Sequence, residues 1–308
     1  MLSNFLAVLD QTLILTLLSV LGLIAGKTGI LNDTVTDGLT NLLIFFISPC
    51  VMLSAFQREF SAAQFQQFLL TFVIGLTIIV FSALLTKLTI RGTNDKSVRV
   101  LRSNSIFSNC GMMSLPLQQA LYGSDGIFLG AAYIAAFNVM FWTYGVALLG
   151  GSKNISVKKV LLNPCLIGTA AGLLFFFTSF HLPDVLNGTC AQMANLNTPI
   201  AMLIIGQRLS KSRISSIFDD AKLWLSAVIR LAIIPVAAIL GMYTVGVRGT
   251  VAIICAIAAS TPAAASNSML AILFHQDESL SVKAAVMQNI LSAITMPVIV
   301  AFAQAMLV

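Results

Sequence analysis

Ser48-Pro49-Cys50-Val51-Met52-Leu53, followed by Gln57-Arg58, and Thr198-Pro199-Ile200-Ala201-Met202-Leu203, followed by Gln207-Arg208, carry Pro, Met, Leu, Gln and Arg at identical spacing about 150 residues apart. Weaker echoes lie at a similar offset. Asn138-Val139-Met140 parallels Asn289-Ile290-Leu291, and Pro116 parallels Pro262. In a chain of 308 residues this spacing divides the sequence into two similar halves.

The segments that repeat are apolar. Hydrophobic residues make up 58% of the chain and charged residues 9%, too few to cover a water-facing surface, so lipid is the expected solvent. A spanning helix needs about 20 mostly apolar residues. Clear spans read at 2–25, 37–56, 65–90, 125–150, 157–180, 220–246, 248–274 and 279–307, with more polar candidates at 98–122 and 186–208. The first span lacks a basic leader and carries Asp10, so it reads as a retained helix and not a cleaved signal.

Charge placement decides whether the two weaker segments cross. With ten spans, Lys27, the group Lys87 to Arg102, the group Lys153 to Lys159, the group Arg208 to Lys222, and Lys283 all fall on one side. That is 14 of the 17 Lys and Arg; Arg58 and Arg248 lie opposite and Arg230 within a span. Removing either weak span scatters the basic groups over both faces, so the positive-inside rule selects ten. The basic side is then cytoplasmic, and both termini lie outside a cell membrane.

Each half holds five helices. An odd number gives the halves opposite orientation, so the expected fold is an all-α integral membrane protein of two inverted five-helix repeats, 1–150 and 157–308. Pro116 in helix 4 and Pro262 in helix 9 are expected to break and cross these helices near the membrane midplane. Around them stand Asn109-Cys110-Gly111-Met112-Met113-Ser114-Leu115-Pro116 and Thr261-Pro262-Ala263-Ala264-Ala265-Ser266-Asn267-Ser268. Half-helix N-termini present N–H groups and a positive dipole end, which suits a small anion such as a carboxylate. Asn109, Gly111, Pro116, Pro262, Ser266 and Asn267 are therefore the candidate substrate-binding residues, joined by Asn138 among the aromatic residues of helix 5.

Other chemistry is poorly supported. Asp10 and Arg230, each about two turns from a helix end, read as snorkelling charges. There is no HExxH, GxSxG or phosphate-binding glycine loop, and helices 4, 5 and 9 proper carry no carboxylate beyond Asp125 at the very edge of span 125–150, so neither an enzyme nor a cofactor or metal site is expected. Cys50, Cys110, Cys165, Cys190 and Cys255 are odd in number and widely spaced, as reduced packing residues are. The charge of +6 lies in short loops without interleaved aromatics, which argues against nucleic acid as a partner.

Gly22-Leu23-Ile24-Ala25-Gly26-Lys27-Thr28-Gly29-Ile30-Leu31, Ser48-Pro49, Asn109 with Gly111 and Pro116-Leu117, Tyr122-Gly123 and Asn163-Pro164 together resemble the auxin efflux carrier family, over essentially the full length. Its members include plant auxin exporters and bacterial permeases associated with malate and other small organic acids. The resemblance implies helices 1, 2, 6 and 7 as a scaffold, dimerising through helices 2 and 7. Helices 3–5 and 8–10 would form a transport unit moving by an elevator mechanism, with the crossing at Pro116 and Pro262. It also implies substrate contacts at Asn109 and Asn138. The chain lacks the long central loop of the plant proteins, and Met52 replaces their polar helix-2 residue, so a malate-permease-like member fits better than an auxin carrier. The rival readings are a sodium-coupled symporter resembling the bile-acid family, which sodium dependence would reveal, and a membrane receptor without net transport.

Overall fold

A computed structural model of the protein describes residues 2–92, 95–154, 158, 162, 164–211, 218 and 220–308. The expectations placed on Lys159, Asn163 and Arg213 lie outside these residues. Among the described residues the chain is helical, and its one β-bridge pairs Ser108 with Ala263. In chain order the rods are α1 (Leu2–Lys27), α2 (Asp33–Ala55), α3 (Ala62–Thr89), α4a (Lys96–Ile106), α4b (110–122) and α5 (124–150). They continue with α6 (Pro164–Thr178), α7 (Asp184–Asn195 and Asn197–Ser210), α8 (Ala221–Val245), α9a (Gly249–Ser260), α9b (Ala265–Leu273) and α10 (Glu278–Leu307).

Local sequence explains most boundaries. Short polar side chains cap four starts: Asn32 accepts from the Val35 amide at 3.0 Å, Asp95 from Ser97 at 2.9 Å, Asp220 from Lys222 at 2.8 Å and Asp277 from Leu280 at 3.0 Å. Gly123, at φ 57° and ψ −137°, turns the chain between α4b and α5 in a conformation that a Cβ would penalise.

The stretches Asp33–Ala55, Ala62–Thr89, Cys110–Gly150, Ala221–Val245 and Glu278–Leu307 are long and apolar enough to cross a bilayer. Large apolar side chains such as Leu17, Val73, Leu84, Leu174 and Ile294 point outward, each more than half exposed. So many in one chain fit a lipid-facing surface and would be a liability in water.

Three prolines inside these rods do not break them. Pro49, Pro116 and Pro235 each lie two residues beyond a π-helical turn, at Leu43–Ile47, Cys110–Ser114 and Ile229–Ile233. The wider turn takes up the missing amide and keeps the ring clear of the preceding carbonyls.

Packing is closest where glycines meet backbone. α1 lies on α7, and a Cβ on Gly206 would overlap the Ser19 carbonyl, while Gly22 sits against Leu203 in the same way. In the other half α6 lies on α2, with Gly168 against Pro49 and Gly172 against the Phe56 ring. Gly22-x-x-x-Gly26 and Gly168-x-x-x-Gly172 thus do equivalent work in the two halves, since small residues let helices approach where lipid offers no hydrophobic drive. The centre of the molecule is α5 and α9a, buried on all faces from Gly126 to Asn138 and from Val251 to Ser260.

Candidate functional site

Two helices at this centre are interrupted. α4a ends at Ile106, and the chain leaves the helix at Phe107, extended, and passes through Ser108 and Asn109 before α4b; α9a ends at Ser260, and Thr261 to Ala264 leave the helix, extended at both ends, before α9b. The two segments pair antiparallel. The Asn109 amide donates to the Pro262 carbonyl at 2.7 Å and the Ala264 amide to the Phe107 carbonyl at 3.0 Å. A broken helix leaves backbone donors and acceptors without partners, and in a dry interior each must find one. Here the two breaks satisfy each other.

The first break differs from expectation. It centres on Phe107 to Asn109, eight residues before Pro116, which is buried within α4b beyond the π turn and takes no part in the crossing. Pro262 does lie in the second break. The crossing partners are Ser108 and Ala263, so the counterpart of Pro262 is the Ser108-Asn109 pair and not Pro116.

Side chains complete the crossover. Asn267, wholly buried, accepts from the Ser103 hydroxyl at 2.9 Å and donates to the Phe107 carbonyl at 3.1 Å. Both ends of its amide are engaged, so it holds the crossing together and has little left for a ligand. Gln288 on α10, also buried, accepts from the Ala263 amide at 2.9 Å and donates to the Ser226 hydroxyl at 3.1 Å. Ser226 in turn bonds the Ser105 hydroxyl at 2.8 Å.

Arg230 overturns the snorkelling expectation. It is 1% exposed, and its guanidinium donates to the carbonyls of Thr261 at 3.0 Å, Ser105 at 3.3 Å, Ile106 at 3.1 Å and Ala259. Those oxygens are the orphaned C-terminal acceptors of α4a and α9a. Snorkelling assumes that lipid is the only alternative to water; carbonyls converging from two broken helices provide a third. Gln288 and Arg230 are the residues that sequence reading missed. The one signal was an arginine deep in an apolar stretch whose mate was to be sought in broken backbone. Asp10 is exposed on α1, on the outside of the molecule.

The N-terminal ends of α4b and α9b are more open. Space surrounds Gly111, where an added Cβ would touch nothing within 4 Å. Asn109, 5% exposed, has its main chain fixed by the crossing, while among the described residues nothing is hydrogen-bonded to its carboxamide. Ser266, half-buried, lies in the first turn of α9b. Asn138 is on α5, whose Phe137 and Phe141 rings pack edge-on against Phe107 at 5.8 and 5.2 Å. Its amide donates back to Ile134 at 3.0 Å. Asn109, Gly111, Pro262 and Ser266 therefore meet at the crossover, Asn138 flanks it, Asn267 braces it and Pro116 stands apart. Among the described residues no three His, Cys, Asp or Glu side chains gather as a metal site would require.

A broken-helix crossover in a duplicated apolar chain belongs with carriers, and family comparison agrees. The family model for membrane transport proteins matches twice, over residues 7–158 and again over 151–300. The chain belongs to this membrane transport protein family, that of the auxin efflux carriers. The double match also shows that the chain contains two repeats. Among curated proteins, an uncharacterized transporter of Methanothermobacter thermautotrophicus is 26% identical over 211 residues, 67% of this chain and 68% of the relative. As a membrane transport protein with several apolar helices, the molecule is a multi-pass membrane protein and a transporter.

Proposed function

We propose that this transporter carries a small organic anion, a carboxylate such as malate, across the cell membrane by alternating access. All ten rods α1 to α10 cross the bilayer in this reading, as two inverted five-helix repeats with both termini outside. α1, α2, α6 and α7 form a scaffold that dimerises through α2 and α7, and α3 to α5 with α8 to α10 move against it as an elevator.

The observation that carries the reading is the crossover itself. Two half-helices begin there side by side, each with about half a positive charge at its N-terminus, beside the Asn109 carboxamide, which has no hydrogen-bond partner among the described residues. Gly111 leaves room for a carboxylate to approach the α4b amides, Ser266 offers a hydroxyl from α9b, and Asn138 lies on α5 between the Phe137 and Phe141 rings that pack on Phe107. No carboxylate of the protein competes with the substrate on these half-helices.

Uptake of radiolabelled malate and a panel of other carboxylates into proteoliposomes tests this. Saturable uptake by wild type that falls at least roughly tenfold in Asn109→Ala is expected, the equivalent of one charge-assisted hydrogen bond. Undiminished uptake in correctly folded Asn109→Ala would place the substrate elsewhere, and no uptake of any acid would remove the carboxylate reading.

A further inference from the structure

At the N-terminal end of α4b there is open space around Gly111, whereas the C-terminal ends of α4a and α9a are closed off. The Ser105, Ile106, Ala259 and Thr261 carbonyls converge on one point in the protein interior, and that point is filled by the guanidinium of Arg230. Converging carbonyls at half-helix C-termini are the arrangement that binds a free cation in broken-helix carriers. In this protein the cation is covalently attached to α8.

The charge balance is close to complete without any acidic residue. Each helix C-terminus contributes about −0.5, so α4a and α9a together offset about one positive charge, that of a guanidinium. α4a, α8, α9a and α9b contain no Asp or Glu, and the acidic residue of α10, Glu278, is in its first turn. The ion pairs among the described residues, Arg58 with Asp125 and Lys211 with Asp33, do not involve Arg230. Guanidinium does not lose its proton in protein interiors, so this charge is permanent. The π turn Ile229–Ile233 surrounds Arg230 on α8, which bonds to both breaks at once.

We infer that Arg230 is the resident counter-cation of the crossover: it occupies the carbonyl cage that a coupling metal cation would otherwise fill, so that anion transport through this site requires no sodium or potassium. The inference rests on the organic-anion reading for its transport arm only. Arg230 acts here as a positioning residue, holding both half-helices in register while it neutralises their C-terminal ends. Removing its side chain leaves four main-chain oxygens around a guanidinium-sized hole with no cation to neutralise them.

The test uses the full-length protein in proteoliposomes with N-methylglucamine as the principal cation. Wild type is expected to take up the labelled carboxylate in this medium, with no gain from sodium or potassium chloride. Arg230→Ala is expected to lose at least roughly tenfold, as for several hydrogen bonds to a charged group, and to recover with low millimolar guanidinium or sodium. Arg230→Lys, which keeps the charge, is expected to fold and to work more slowly but still without added cation. Wild-type uptake that needs sodium, Arg230→Lys that acquires a sodium requirement, or Arg230→Ala that works fully without cation or recovers with none overturns the inference. Thermal unfolding of purified Arg230→Ala is independent of any substrate: saturable stabilisation by guanidinium or sodium, absent in wild type, supports the resident cation, and equal responses refute it. Wild type inert toward every carboxylate would thus fault the substrate assignment while the thermal arm still decides the cation.

Discussion

Replacing Gln288 by Met keeps the length and volume of a buried side chain but removes both of its hydrogen bonds. One of them is the partner of the Ala263 amide, at 2.9 Å in the middle of the second helix break. No water reaches that point, because Gln288, Ala263 and Ser226 are all buried. An orphaned buried donor costs about 1–3 kcal/mol, and the bond to Ser226 adds about 0.6 kcal/mol, the average for side chains between membrane helices. Ser226 itself keeps its bond to Ser105, which limits the second figure. A loss of about 2 kcal/mol corresponds to a fall of about 3 °C in unfolding temperature for a chain of 308 residues. Asn289, one residue further on, is the control. Its side-chain amide donates to Ala285 in its own helix, and its side-chain oxygen is buried without a partner among the described residues, so Asn289→Ala gives up only an intrahelical bond, removes an orphaned acceptor and should not lower the midpoint. Thermal unfolding of the detergent-solubilised protein, followed by tryptophan fluorescence or dye accessibility of buried cysteines, reads both. Equal midpoints for Gln288→Met and wild type would refute the claim that the break is held from α10, and a larger effect at Asn289 would invert it.

The remaining expectations follow the same logic. Gly206→Val forces α1 away from α7, because the new side chain overlaps the Ser19 carbonyl; overpacking of this kind costs about 1–3 kcal/mol, readable as a lower unfolding midpoint, and an unchanged midpoint would mean that the two helices do not pack at Gly206. The Arg58–Asp125 pair, 2.6 Å apart with Asp125 63% exposed, should couple by less than about 1 kcal/mol in a double-mutant cycle and lose that coupling at high salt, so a larger, salt-insensitive value would show a drier site. Pro116→Ala should leave carboxylate uptake within about threefold of wild type, because the interruption lies at Phe107 to Asn109; a collapse of uptake would restore the proline to the crossing.

How far the sequence reaches is clearest at single residues. The Pro49 and Pro199 match, with its trailing Gln and Arg, disclosed the duplication, and composition alone demanded lipid, because 9% charge cannot clothe a soluble surface. Rod limits follow from apolar length and from Asn32, Asp95, Asp220 and Asp277, since caps act within one turn. The interruption at Pro262 was legible as well, because a proline among small polar residues in an apolar run marks backbone that needs partners.

Tertiary structure decided the rest. Proline bends or stops an isolated helix, yet here π turns absorb Pro49, Pro116 and Pro235, and the first break falls at residues with no proline. Whether an amide waits for a ligand or braces a neighbour depends on what stands opposite: among the described residues nothing is bonded to the Asn109 side chain, whereas Asn267 meets Ser103 and Phe107, residues more than 150 positions away. Arg230 is the extreme case. Its cage of carbonyls exists only when α4a and α9a end together beside α8, so local sequence could specify the charge but not the oxygens that make its burial tolerable.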